Sequence, residues 1–219
     1  MTTLFTHIKS LFGTHAVNPD GPLRGTALSK LPAIENAWLL LEGDTIAGFG
    51  PMDTLPSSKR PDETIDASGR YLLPAWCDSH THLVYAAPRE SEFIDKIRGL
   101  SYAEIAAKGG GILSSTRKLN AMPEDELFER AQIRLAAAAT MGTGSIEIKS
   151  GYGLTVEGEF KVLRVIKRLQ ESSPVIIKST FLGAHAIPEE YRANREGYIR
   201  LIIEEMLPKI AEEKLADFI

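Results

Sequence analysis

A single cysteine, Cys77, stands in 219 residues, so neither an intrachain disulfide nor a zinc knuckle built on CxxC pairs can form. Cysteine this sparse points to a reducing compartment, and a cytoplasmic protein is expected. No run of about 18 apolar residues occurs, which removes the usual membrane-spanning helix. Met1–Phe12, which contains His7 and Lys9, lacks the apolar core and cleavage site of a secretory leader. Basic clusters are missing too: 25 Lys and Arg against 29 Asp and Glu leave a net charge of −4. Neither a nucleic acid nor an anionic membrane surface is therefore expected as partner. With 12 Pro, 18 Gly and 43% hydrophobic residues, the chain is neither collagen-like nor disordered. One large domain or two small ones around a real core, acting on a small molecule, is the remaining class.

Two styles of sequence succeed each other. From Leu4 to about Arg70 no helical period is sustained. Ala37–Leu41, a turn at Glu42-Gly43-Asp44 and the return Thr45–Phe49 predict a β-hairpin. Residues 51–61, polar and Pro-rich, predict a surface connection, so residues 1–70 are expected to form a small β-rich domain. After Arg70, Tyr71–Leu83 reads as a long buried strand, Pro123–Met141 as a helix stopped by Gly142, and Gly144–Lys149 as a second strand. Thr155 is placed to cap a helix with Val162, Leu163, Ile166 and Leu169 on one face. A third strand over Val175–Ala184, a helix near Tyr198–Ala211 bent at Pro208, and a fourth strand beginning at Ala216 complete the pattern. Strands alternating with helices predict a parallel sheet with right-handed crossovers. No GxGxxG follows the first strand, which favours a (β/α)₈ barrel over a dinucleotide fold. Only about four of eight barrel strands fit into residues 71–219.

Asp78-Ser79-His80-Thr81-His82 carries the sharpest chemical signal. Side chains at i and i+2 of a strand share a face, so His80 and His82 are expected to project together while Ser79 and Thr81 face away. Two neutral imidazoles can then hold one metal ion, with bonds of about 2.0–2.1 Å for zinc. The bland alternative is a pair of hydrogen-bonding residues at a strand end. Arg89, in the loop just past the histidines, can grip a substrate carboxylate with both arms of its guanidinium, or be a solvated charge. Tyr152, between Gly151 and Gly153, either turns its ring to a pocket or packs it on the rim. His185, after Phe181-Leu182-Gly183-Ala184, is a candidate ligand, proton carrier or hydrogen-bond donor. Glu147 and Lys149 share one face of the second strand and are expected to pair, because an isolated buried ion costs several kcal/mol. A carbamylated Lys149 is the sharper alternative. Cys77 is expected to pack, and His7 and His15 have no partner spacing.

Four segments, Ala75–Leu83, Ala107–Leu113, Glu147–Leu154 and Thr180–Ala186, resemble in order the imidazolonepropionase family of the amidohydrolase superfamily. Ala75 and Ser79 depart from the Pro-Gly and Pro usual there, leaving the histidine spacing intact. The resemblance runs from the β segment to the last residue and implies an N-terminal portion: a small β domain that is part of a composite sandwich, then the first strands of the barrel. It further implies hydrolysis of the ring amide of 4-imidazolone-5-propanoate to N-formimidoyl-L-glutamate in histidine breakdown. One zinc or iron ion is implied, with His80 and His82 as two ligands, and Arg89, Tyr152 and His185 as substrate contacts. The general base and the remaining ligands are then expected beyond Ile219, and a homodimer is admitted. Another HxH amidohydrolase, such as a ring deaminase, and an inactive truncated fragment are the alternatives.

Overall fold

The computed structural model describes residues 1–15, 23–57 and 60–219, so Ser58 and Lys59 of the expected 51–61 connection lie outside the described residues. The chain divides into two compact units, Met1–Pro74 and Ala75–Ile219.

The first unit is a five-stranded sheet of β1 (Thr2–Phe12), β2 (Ala33–Glu42), β3 (Thr45–Pro51), β4 (Glu63–Asp66) and β5 (Tyr71–Leu72). The expected hairpin is β2 and β3, paired antiparallel. β1 runs antiparallel to β2 and parallel to both β4 and β5. The apolar run in β2 is buried on both faces: Ala37 and Leu39 join Ile8 and Leu11 on one, while Trp38 and Leu40 join Leu4 on the other. Gly48 and Gly50 on β3 make room for the Trp38 indole; a Cβ at either would lie 3.2 Å or 3.3 Å from its ring.

The second unit holds a parallel sheet in the order β6 (Trp76–Thr81), β7 (Thr143–Lys149), β8 (Ile176–Thr180). The single strand expected over Tyr71–Leu83 is thus two. Tyr71–Leu72 pairs with β1, Leu73-Pro74-Ala75 interrupts, and β6 begins a different sheet. The boundary accordingly falls after Pro74 rather than Arg70. Nor is β6 buried; Trp76 to His80 are all exposed.

Helices α1 (Glu90–Ile97), α2 (Tyr102–Ala107), α3 (Ile112–Ala121) and α4 (Glu124–Thr140) separate β6 from β7, and α5 (Val156–Ser172) joins β7 to β8. Thr155 does cap α5, its hydroxyl accepting from Gly158 N. Leu163, Ile166 and Leu169 of α5 are fully buried against Ile146, Ile148 and Ile177 of the sheet. After β8 come α6 (Arg195–Arg200), a widened π turn at Leu201–Met206 and α7 (Leu207–Glu213). The bend expected at Pro208 is expressed upstream, in that π turn: proline has no N–H for the carbonyl of Glu204. Two strand readings are shortened. β8 ends at Thr180, with Gly183–His185 in a 3₁₀ turn, and the fourth strand amounts to one parallel bridge between Thr180 and Phe218. Among the described residues no helix is long and apolar enough to cross a membrane.

Candidate active site

The ladder between β6 and β7 slips between Asp78 and Thr81. Cys77, Asp78 and Ser79 border one hollow of the sheet. Cys77 is exposed rather than packed. Thr81 closes the slip: its hydroxyl donates to Glu147 O at 2.7 Å. His80 and His82 emerge at this end with ring centres 6.2 Å apart, edge to face. His80 is exposed and His82 half-buried.

His82 is the centre of an imidazole and phenol cluster. Its ring lies 4.7 Å from that of Tyr152 and 5.1 Å from that of His185, and the latter two stand 5.5 Å apart, edge to face. Burial, then the neighbouring His185, His80 and Lys149, pushes His82 down from 6.5 to about 4. The imidazole is neutral at neutral pH, with a lone pair to offer. Its Nδ1 is enclosed and has no hydrogen-bond partner among the described residues.

Tyr152 is carried by a loop whose backbone is held from beneath. The carboxylate of Glu159, fully buried in the first turn of α5, accepts from Gly151 N, Gly153 N and Leu154 N, each at 2.8 Å. Gly153 admits no side chain, since a Cβ would lie 2.3 Å from Glu159 N. Gly151, at φ +108, lets the loop meet the His185 segment: a Cβ there would lie 2.9 Å from both His185 Cβ and Leu182 O. Ser150 Oγ accepts from Leu182 N at 3.0 Å, and Tyr198 Oη donates to Gly183 O at 2.7 Å, so the turn bearing His185 is pinned on two sides.

Arg89 precedes α1. Its Nε and Nη2 both donate to Glu92, whose other carboxylate oxygen accepts from Gly111 N at 3.0 Å. Paired in this way, Arg89 is held above its ordinary value and Glu92 below. Arg89, His82, Tyr152, Tyr85 and Ser115 line one cavity of about 210 Å³. Of the five residues singled out from the sequence, three share this cavity; His185 packs against two of them, and His80 stands beside His82 outside it.

On the sheet face away from the helices, Glu147 and Lys149 are joined at 2.7 Å. They line a separate hollow of about 440 Å³ with Cys77, Ser79, Lys178 and Thr180. Sequence reasoning missed Glu159, Glu92, Ser150 and Tyr198. A signal existed for Glu159: it falls on the apolar stripe of α5, four residues before Leu163 and seven before Ile166, where an unpaired carboxylate does not belong.

Taken chemically, the site offers a guanidinium for a carboxylate, a phenol and an imidazole flanking a neutral histidine, and a second histidine close by. Among the described residues no group of three or more His, Cys, Asp or Glu is arranged to hold a metal ion.

The chain is 53% identical over all 219 residues to the imidazolonepropionase of Flavobacterium johnsoniae, covering 53% of that protein. It is 41% identical over 222 residues to that of Geobacillus thermodenitrificans, covering 52% of it. The chain thus spans about half the length of the curated relatives it matches. No protein-family model matches it. Among solved structures, Escherichia coli guanine deaminase superposes on 93% of this chain and 42% of its own, with a TM-score of 0.51 at 12% identity, a likeness of fold alone.

Proposed function

We propose that this chain is the N-terminal portion of a metal-dependent hydrolase that opens the cyclic amide of 4-imidazolone-5-propanoate to give N-formimidoyl-L-glutamate. The observation that carries the reading is the joint placement of Arg89, Tyr152 and His82 around one cavity in a chain similar over its whole length to imidazolonepropionases. In this reading β6, β7, β8 and the bridge at Phe218 are the first four strands of a (β/α)₈ barrel, and the cluster lies at the carboxyl ends of the strands, where such barrels do chemistry.

Each residue then has a task. The free edge of the Arg89 guanidinium binds the propionate carboxylate, with Glu92 holding the other edge. Tyr152 and His185 flank the planar ring and orient it by stacking and by hydrogen bonds to its polar atoms. His80 and His82 hold a divalent ion, zinc or iron. The neutral state of His82 and its unpartnered Nδ1 suit an acceptor waiting for a partner, and the His80 ring stands close by, 6.2 Å away centre to centre. Such an ion, when bound, polarises a carbonyl and makes water nucleophilic near neutral pH. The other ligands and the general base come from residues beyond 219. The setting is cytoplasmic, consistent with one exposed free thiol at Cys77.

Incubation of the full-length protein with 4-imidazolone-5-propanoate and zinc or iron tests this. Formation of N-formimidoyl-L-glutamate is expected. No turnover, with ammonia released from an amino-substituted ring substrate instead, would transfer the chain to a ring deaminase.

A further inference from the structure

We infer that Glu159 is the positioning residue of this site, a buried carboxylate that fixes the Tyr152 ring against His82 by gripping the backbone on both sides of it. The inference rests on the function proposed above for what the fixed ring is used for, while the grip itself is a matter of geometry.

Glu159 is fully buried. Among the described residues its hydrogen-bond partners are three backbone N–H groups and no cation: Gly151 before Tyr152, and Gly153 and Leu154 after it. Three such donors, with the positive end of the α5 dipole, satisfy a buried carboxylate without a counter-ion.

Capping of α5 does not account for this arrangement. In a capping box the third helical residue reaches back to the N-cap N–H. Here that position is Gly158, and its own N–H is served by the Thr155 hydroxyl. Glu159, one residue further on, reaches past the cap to the loop. Its carboxylate also holds Leu154 in a left-handed conformation, φ +54, that a branched side chain rarely adopts. Both glycines are too closely surrounded to carry a side chain, so the grip places two side chains, Leu154 in the core and Tyr152 toward the cavity. It aims the ring at His82, 4.7 Å away.

Glu159→Gln in the full-length protein is the test. Glutamine keeps one oxygen for Gly153 and Leu154 but turns an NH₂ toward the Gly151 N–H, so donor faces donor and the anchor before Tyr152 is lost. The expected result is a fall in kcat/KM on the order of 10- to 100-fold, with faster amide exchange at Gly151 than at Gly153. A merely structural role would lower the melting temperature without coupling to Tyr152, so the variant is combined with Tyr152→Ala. If Glu159 acts through Tyr152, the double variant is within about twofold of Tyr152→Ala alone. Multiplying losses would overturn the inference. Should Glu159→Gln not fold, Glu159→Asp, which keeps the charge but withdraws it by one methylene, takes its place in the same cycle. A wild-type protein inactive on the imidazolone would sink the proposed function alone. The inference would then be read from Gly151 exchange and the Tyr152 ring proton shifts, and unchanged values in the variant would overturn it.

Discussion

Glu92 occupies the Nε and Nη2 edge of the Arg89 guanidinium and, through its second oxygen, the N–H of Gly111. A charge lining the cavity is thereby locked to the glycine loop that begins α3, with one guanidinium edge left for a ligand.

Replacing Arg89 by Lys substitutes a point charge for that fork. In the full-length protein KM for the imidazolone should rise, at a cost of about 1.5–3 kcal/mol in kcat/KM. Steady-state kinetics check it, and an unchanged kcat/KM would leave Arg89 a surface charge.

Glu92→Gln should loosen the guanidinium, and its effect on stability should depend on pH. Arg89 holds the Glu92 carboxyl below the usual carboxylate range. The pair therefore contributes stability above the ordinary Glu pKa of about 4.3 and loses it as pH falls through the lower, folded value. Solvent reaches Arg89, whose side chain is 38% exposed, so the contribution at neutral pH should not exceed about 1 kcal/mol. Urea unfolding should separate wild type from variant at neutral pH and bring them together in acid; a gap that widens in acid contradicts the pairing.

The 219-residue chain by itself should neither retain a metal ion tightly nor turn over the imidazolone. Two histidines fill half of a four-coordinate sphere, and a missing general base alone costs about 10²–10⁴ in rate. Metal analysis after dialysis, with an activity assay, decides it; one ion per chain with rapid turnover would mean that the remaining ligands lie within these residues.

Gly153→Ala should damage site and stability together. The added methyl would lie 2.3 Å from Glu159 N and Gly158 C, both backbone atoms, so the loop must move. A loss of about 1–3 kcal/mol in unfolding free energy is expected, along with reduced activity. Wild-type melting and kinetics would show that the loop has room that the geometry denies it.

Much of the lining of the candidate cavity was legible because its residues announce themselves locally: His82 by the HxH pair, Tyr152 by flanking glycines, Arg89 by its place after the histidines. Their support was not. Glu159 stands out on the apolar stripe of α5, but no side-chain spacing encodes which backbone N–H groups it and Glu92 reach, 5 to 8 and 19 residues away. The three helices between Arg89 and Met122 escaped notice for a related reason. α1 carries an apolar stripe, Phe93, Ile94 and Ile97, but leaves it largely exposed, and α3 fully buries only Leu119; at 8, 6 and 10 residues the three are short for a periodic signal. Tyr71–Leu83 misled in the opposite way: an extended apolar sequence reads the same whichever sheet it joins, and only pairing reveals that Tyr71–Leu72 belongs to one unit and Trp76–Thr81 to the other.

Burial of β2 on both faces has a consequence for how the first unit finds its alignment. In a half-buried strand a slip of one residue throws apolar side chains into water, and that cost alone fixes the pairing. Ala37–Leu40 has no such safeguard, since a slipped strand would still present apolar groups to both sides. The tight turn at Gly43-Asp44, between the paired Glu42 and Thr45, sets the alignment at one end, and shape reinforces it further along. Trp38 pairs with Gly50 and lies close over Gly48, two gaps in β3 that match its indole at one offset. The ring works as a key cut for a single lock, and a methyl group in either gap would crowd it in the one alignment that the turn allows.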